Sequence, residues 1–130
     1  MIAQKNNIDL KLPNIMTKDM LVHTPITNKM NLVLNLESYD NNFEGGTHWV
    51  ALYKNKNDVY YFDSFGGKPP NIVMQLFSKV HYNSYQVQEL RSNNCGLYCM
   101  MFLKAMKEGI DYESFINYFD ESGNDAKINI

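Results

Sequence analysis

The sequence predicts a single α+β domain. Three observations carry that reading: alternating apolar strands between Asn31 and Ser64, one amphipathic helix opening at Cys95, and a length of 130 residues. That length builds one hydrophobic core and is too short for two. Apolar residues make up 45% of the chain and aromatics 13%, which excludes wholesale disorder. No repeat or linker divides it, so one domain is expected across residues 1–130, its polar end frayed after about Glu121. The expected sheet is small, mixed or antiparallel, and packed against the helix that begins at Cys95.

The elements follow in order. Leu10 to Pro13 reads as extended, because the residue before a proline avoids the helical region. Thr17 is placed to cap a short helical turn through Leu21, and Pro25 ends it. Leu32, Leu34 and Leu36 alternate with Val33 and Asn35, a strand with a well-buried face. A polar loop from Glu37 to Gly46 leads to a strand at Thr47 to Lys54. The turn residues Asn55 to Asp58 connect it to a strand at Val59 to Ser64, rich in aromatic β-formers. These two strands are expected to form an antiparallel hairpin.

Gly66-Gly67 and Pro69-Pro70 break the chain before a short helix, roughly Asn71 to Ser78, and a strand is expected within Val80 to Glu89. Cys95, Cys99, Phe102, Leu103 and Met106 share one face of the main helix, with Lys104, Lys107 and Glu108 elsewhere. Asn93 or Asn94 is placed to cap that helix and Gly109 to end it. Asp111 then caps a last helix through about Phe119.

Charge and composition exclude several classes. The formal net charge is −2, which rules out a generally basic nucleic-acid coat. The longest unbroken apolar run, Leu97 to Leu103, is far short of the ~20 residues of a membrane span. The first residues mix charge and Asn, unlike a secretory leader, so no secretion is expected. Two cysteines four residues apart make no disulfide scaffold, and without two further ligands no structural metal is expected. The chain has 17 Asn and 11 Lys against one Arg and four Ala, the imprint of an AT-rich genome.

Three polar residues stand where thiol chemistry would need them. His48 begins a strand, Asp63 ends its hairpin partner, and Cys95 opens a helix. A thiol becomes a good nucleophile only when ionised, and helix N-terminal N–H groups together with an imidazolium favour the thiolate. In an antiparallel hairpin the start of one strand lies beside the end of the next, so Asp63 is positioned to hold the His48 tautomer. Each residue also has an ordinary use: a His beside Trp in packing, an Asp in a turn, a Cys in a core. Spacing alone leaves both readings open.

The wording around these residues adds a resemblance covering roughly Asn31 to Leu103. Gly45-Gly-Thr-His48-Trp49-Val-Ala-Leu52, Tyr60-Tyr-Phe-Asp63-Ser-Phe-Gly66, and Gln88 seven residues before Cys95-Gly-Leu-Tyr-Cys-Met-Met-Phe-Leu103 resemble the adenovirus-type cysteine proteases. The SUMO-specific proteases are their cellular relatives. Leu34 to Glu37 before the His motif, and Pro69-Pro70 after the Asp motif, look most like versions in virophages, Maverick/Polinton elements and large DNA viruses.

The resemblance implies a papain-like (adenain-like) fold and a cysteine endopeptidase. Cys95 would be the nucleophile, His48 the base and Asp63 its orienting carboxylate. Gln88 would share an oxyanion hole with the Cys95 N–H, and Trp49 would wall a narrow substrate groove. Each also has a plainer use, Gln88 as an exposed strand-end residue and Trp49 in the core. The implied substrates are virion precursor proteins cut at glycine-containing sites, in the virion or the infected cell's cytoplasm or nucleus.

The adenovirus enzyme is stimulated by a peptide and by DNA. This chain has neither a basic stripe nor a cofactor-accepting cysteine, so no cofactor, no nucleic acid and no membrane is expected, and a monomer is. The same groove would also suit the Gly-Gly tails of ubiquitin-like modifiers, making a deconjugase the second reading. A third is a non-catalytic module that grips Gly-containing peptides, against which the intact Cys95, His48, Asp63 and Gln88 argue.

Overall fold

Near-continuous apolar runs in the central strands, Leu32 to Leu34 and Val50 to Leu52, suit a sheet that is covered on both faces. The computed structural model describes residues 13–36, 48–84, 86–87 and 95–119. Among the described residues, five strands run in the order β1 (Asn14–Thr17), β2 (Lys29–Asn35), β3 (Trp49–Asn55), β4 (Asp58–Phe62) and β5 (Val80–Tyr82). β2, β3 and β4 form an antiparallel meander, while β1 and β5 add parallel strands at the two edges, so the sheet is mixed.

A 3₁₀ helix (Lys18–His23) and α1 (Asn71–Leu76) lie on one face; α2 (Cys95–Lys107) and α3 (Tyr112–Asn117) lie on the other. Leu32, Leu34, Val50, Leu52, Val59 and Tyr61 face Leu21, Val73 and Phe77. Val33, Ala51 and Phe62 face the second layer, where Tyr98, Cys99, Phe102 and Phe115 fill the core. Double coverage explains why Leu32, Val33 and Leu34 are all buried in succession.

The predicted face of α2 is the buried one: Cys95, Cys99, Phe102, Leu103 and Met106 all point inward, while Lys104 and Glu108 are exposed. Gly109 ends the helix with φ +85°, its N–H donating to Met106 O while the Ile110 N–H reaches Ala105 O, the paired bonds of a Schellman stop. Asp111 caps α3 by accepting the Ser114 N–H at 3.1 Å.

Three details differ from the expectation. β1 had no separate forecast; four residues of sequence carry too little pattern, and the strand exists by parallel pairing with β2. The helical turn after it is 3₁₀, and Thr17 makes no side-chain cap bond; its Oγ1 is buried without a hydrogen-bond partner. The hairpin turn falls where expected, with Lys56 at a left-handed φ of 58° and its N–H donating to Asn28 O at 2.6 Å. β4 stops at Phe62, because Asp63 leaves the ladder for a turn of its own. Leu10 to Leu12, the loop Glu37 to Thr47, the caps Asn93 and Asn94 and the tail lie outside the described residues.

Candidate active site

The β3–β4 register builds the first half of the site. Ala51 pairs with Phe62, so the residue before β3 and the residue after β4 meet at one end of the sheet. Those residues are His48 and Asp63. The Leu36 N–H donates to His48 O at 3.0 Å and fixes the His48 backbone to the end of β2. His48 Nε2 lies 2.7 Å from Asp63 Oδ1, with the imidazole 22% and the carboxylate 5% exposed. The carboxylate is buried and the ring keeps an open edge.

Asp63 is held by its own turn. Its Oδ1 also accepts the Phe65 N–H at 2.8 Å, and its Oδ2 accepts the Gly67 N–H at 3.2 Å. Its carbonyl accepts the Gly66 N–H at 2.8 Å, and Gly66 has a φ of +77° that side chains rarely adopt. Gly67 is required for a different reason: a Cβ there would stand 2.8 Å from Asp63 Oδ2. The Phe65 ring covers His48 with centroids 4.7 Å apart. Asn83, buried just beyond β5, completes the cradle: its Oδ1 accepts the Asp63 N–H at 3.0 Å and its Nδ2 donates to Asp63 O at 2.6 Å.

Cys95 supplies the second half as the first residue of α2. The Leu36–His48 bond makes 36 and 48 a hydrogen-bonded pair, so the Trp49 N–H points the other way, towards the side of β4. The β4 ladder has ended there, and the Trp49 N–H bonds the Cys95 sulfur instead, as does the Gly96 N–H. Burial pushes the thiol pKa up, but the bonds from His48, Trp49 and Gly96 outweigh it and hold it below its ordinary value of 9.0. Burial likewise opposes a charge on His48. The bonds to Asp63 and Cys95 win, raising its pKa from 6.5 to about 9. These opposite shifts favour a thiolate–imidazolium pair, and the two groups titrate as a unit. With Nε2 on Asp63, the nitrogen left for Cys95 is Nδ1, which is buried and makes no hydrogen bond of regular geometry. Hydrogen bonds of this kind tighten when a substrate carbonyl is engaged.

The structure therefore brings His48, Asp63 and Cys95 together. Trp49 is half-buried, its side chain packed on the core beneath α2. Gln88 lies outside the described residues; Val87 before it donates its N–H to Ser64 O at 2.8 Å and accepts the Tyr98 hydroxyl. Cys99 is buried, and burial, with the nearby Cys95 and Asp63, pushes its thiol pKa well up. Sequence reasoning missed Asn83, Phe65 and Gly67 as parts of the site. Phe65 and Gly67 sit inside or beside the Asp63 motif and were within reach, whereas Asn83 carries no local signal beyond a turn-forming residue type.

No family model matches the chain. Curated relatives exist in African swine fever virus: a SUMO-1 cysteine protease at 27% identity, covering 55% of this chain and 33% of the viral protein, and proteins from other isolates named simply cysteine protease. The chain thus spans about a third of the length of the relatives it matches. Among solved structures, the crystal structure of the African swine fever virus protease superimposes with a TM-score of 0.56 at 16% identity, over 87% of this chain and 55% of that one. The fold is shared with that viral cysteine protease, an α+β core of the papain and adenain type.

Proposed function

We propose that this chain is a cysteine endopeptidase acting through Cys95, His48 and Asp63. One observation carries the reading: a thiol at a helix N-terminus meets an imidazole whose far nitrogen is held at 2.7 Å by a buried carboxylate. The viral relatives named cysteine proteases support it. In this scheme the Cys95 thiolate attacks the scissile carbonyl carbon, and the carbonyl electrons move onto oxygen. The Cys95 N–H faces that oxygen, and Gln88 contributes its amide as the second donor. As the tetrahedral species collapses, the His48 imidazolium gives its proton to the leaving amine, breaking the C–N bond and leaving a thioester. His48 then takes a proton from water, whose oxygen displaces the Cys95 sulfur and releases the acid. Asp63 holds the ring and balances its charge throughout.

The proposed substrates are virion precursor proteins cut beside glycine, with Trp49 narrowing the groove, in the virion or infected cell. The protease acts as a monomer and takes no cofactor. The sequence wording that resembles virophage and mobile-element versions supports a source of that kind. The name of the SUMO-1 protease relative favours a second reading, removal of a ubiquitin-like modifier through the same chemistry. Two substrates separate the readings: a Gly-Gly-containing virion precursor, and SUMO-1 bearing an electrophilic C-terminus. Cleavage of the precursor that Cys95→Ala abolishes supports the endopeptidase. Covalent capture of the SUMO-1 probe on Cys95 with no precursor cleavage supports the deconjugase, and failure with both removes the enzymatic reading.

A further inference from the structure

We propose that Asn83 is a positioning residue, whose carboxamide grips the Asp63 peptide on both sides and so sets where the carboxylate meets His48. The proposal rests on the reading of Cys95, His48 and Asp63 as the reacting group and adds a residue that acts through Asp63. The parallel β4–β5 ladder has its last pair at Tyr61 and Tyr82. One residue past Tyr82 and two past Tyr61, backbone pairing is replaced by a side chain: Asn83 Oδ1 accepts the Asp63 N–H at 3.0 Å, and Asn83 Nδ2 donates to Asp63 O at 2.6 Å. The carboxamide does what another ladder residue's C=O and N–H would do.

The grip matters because two of the donors to the Asp63 carboxylate, the Phe65 and Gly67 N–H groups, travel with it. Phe65 and Gly67 belong to the turn that Asp63 begins, so carboxylate and turn can shift as one body. Asn83 comes from the neighbouring strand and ties that body to the sheet. It is 3% exposed, so water does not substitute for its two bonds when they are lost. The chemistry is specific, since one planar group must accept on one atom and donate on the other. An ionised carboxylate accepts only and would set an oxygen against Asp63 O. A protonated carboxyl restores the donor. Among the described residues, the titratable groups that interact with Asp63 are His48, Cys99 and Tyr61; the last two are buried with their pKa pushed up, and stay neutral.

The test is the pH dependence of Cys95 alkylation by iodoacetamide, located by mass spectrometry, in the wild type, Asn83→Ala and Asn83→Asp, with melting temperatures alongside. The wild type should react well below the range of an ordinary thiol. In folded Asn83→Ala the rate near pH 6 should fall roughly tenfold while the alkaline plateau stays, one unit of lost thiolate stabilisation. In Asn83→Asp, close in shape and able to fold where the alanine variant does not, the deficit should shrink on acidification and grow towards neutrality. A lower melting temperature with the wild-type pH profile in both variants would make Asn83 a purely structural residue and overturn the proposal alone. A wild type whose Cys95 reacts only as an ordinary thiol overturns the proposal together with the reading beneath it.

Discussion

His48 turns Nε2, not Nδ1, towards Asp63, at 2.7 Å, and this one contact decides which ring nitrogen serves Cys95. It also decides the charge of the ring, since burial alone would lower the His48 pKa and the bonds to Asp63 and Cys95 carry it up to about 9. His48 therefore contributes stability that is fully present below its ordinary 6.5 and lost as pH rises through about 9.

Asp63→Asn tests that account. Without the carboxylate, burial is opposed by Cys95 alone, and the His48 pKa should fall well below about 9. The alkaline limb of peptide hydrolysis should move down with it, and kcat should drop on the order of 10³–10⁴-fold, the effect of neutralising a carboxylate behind a catalytic histidine. A pH–rate profile checks both, with the imidazole resonance of His48 as a direct readout. An alkaline limb that stays in place would mean that Asp63 serves the turn and not the ring.

The two cysteines should differ sharply in reactivity. They stand one helical turn apart, yet Cys95 receives the Trp49 and Gly96 N–H groups while Cys99 is buried among apolar neighbours with its pKa raised. Brief iodoacetamide treatment near pH 6 should label Cys95, because the thiolate is the reactive form. Label on Cys99 would reverse the assignment.

Much of this was legible in the sequence because it depends on local pattern. The period of Leu32 to Leu36, the hairpin from Trp49 to Phe62 and the apolar face of α2 are readable from neighbours in the chain, and each has its predicted place. His48, Asp63 and Cys95 stood out as polar residues at the ends of those elements, but position alone left their roles open, and the resemblance of the surrounding motifs singled them out. Asn83 was not. Its role comes from a parallel crossover that sets it beside a residue 20 positions earlier, and nothing local marks that pairing. β1 was hidden likewise, since its partner β2 lies across the 3₁₀ helix.

The core beneath Cys95 should be sensitive to truncation. Phe102 is fully buried, with its ring 5.3 Å from Phe62, 5.5 Å from Phe115 and 6.0 Å from Tyr112. Phe102→Ala removes those contacts and leaves a cavity between sheet and helices, so unfolding in urea should show a loss of about 3–5 kcal/mol. A loss under ~1 kcal/mol would mean that α2 does not pack as described.

Two glycines separate stability from catalysis. Gly109 has a φ of +85° and open space around its Cβ direction, so Gly109→Ala meets backbone strain only. It sits at the far end of α2 from Cys95. Its expected effect is about 1–2 kcal/mol of stability with turnover unchanged. Gly67→Ala is the reverse case: φ is ordinary, but the new methyl would lie 2.8 Å from Asp63 Oδ2. Either the carboxylate or the turn must move, and the Gly67 N–H bond to Oδ2 goes with it. Because a displacement of about 1 Å at a reacting group can reduce rate by ~10²-fold, turnover should fall by one to two orders of magnitude. Stability should change by about 1–2 kcal/mol, since one half-buried turn adjusts and one hydrogen bond is lost. Measuring kcat and urea midpoints for both variants gives the comparison. If Gly67→Ala keeps full turnover, the placement of the Asp63 carboxylate does not limit the reaction, and the link from this turn through His48 to Cys95 is wrong.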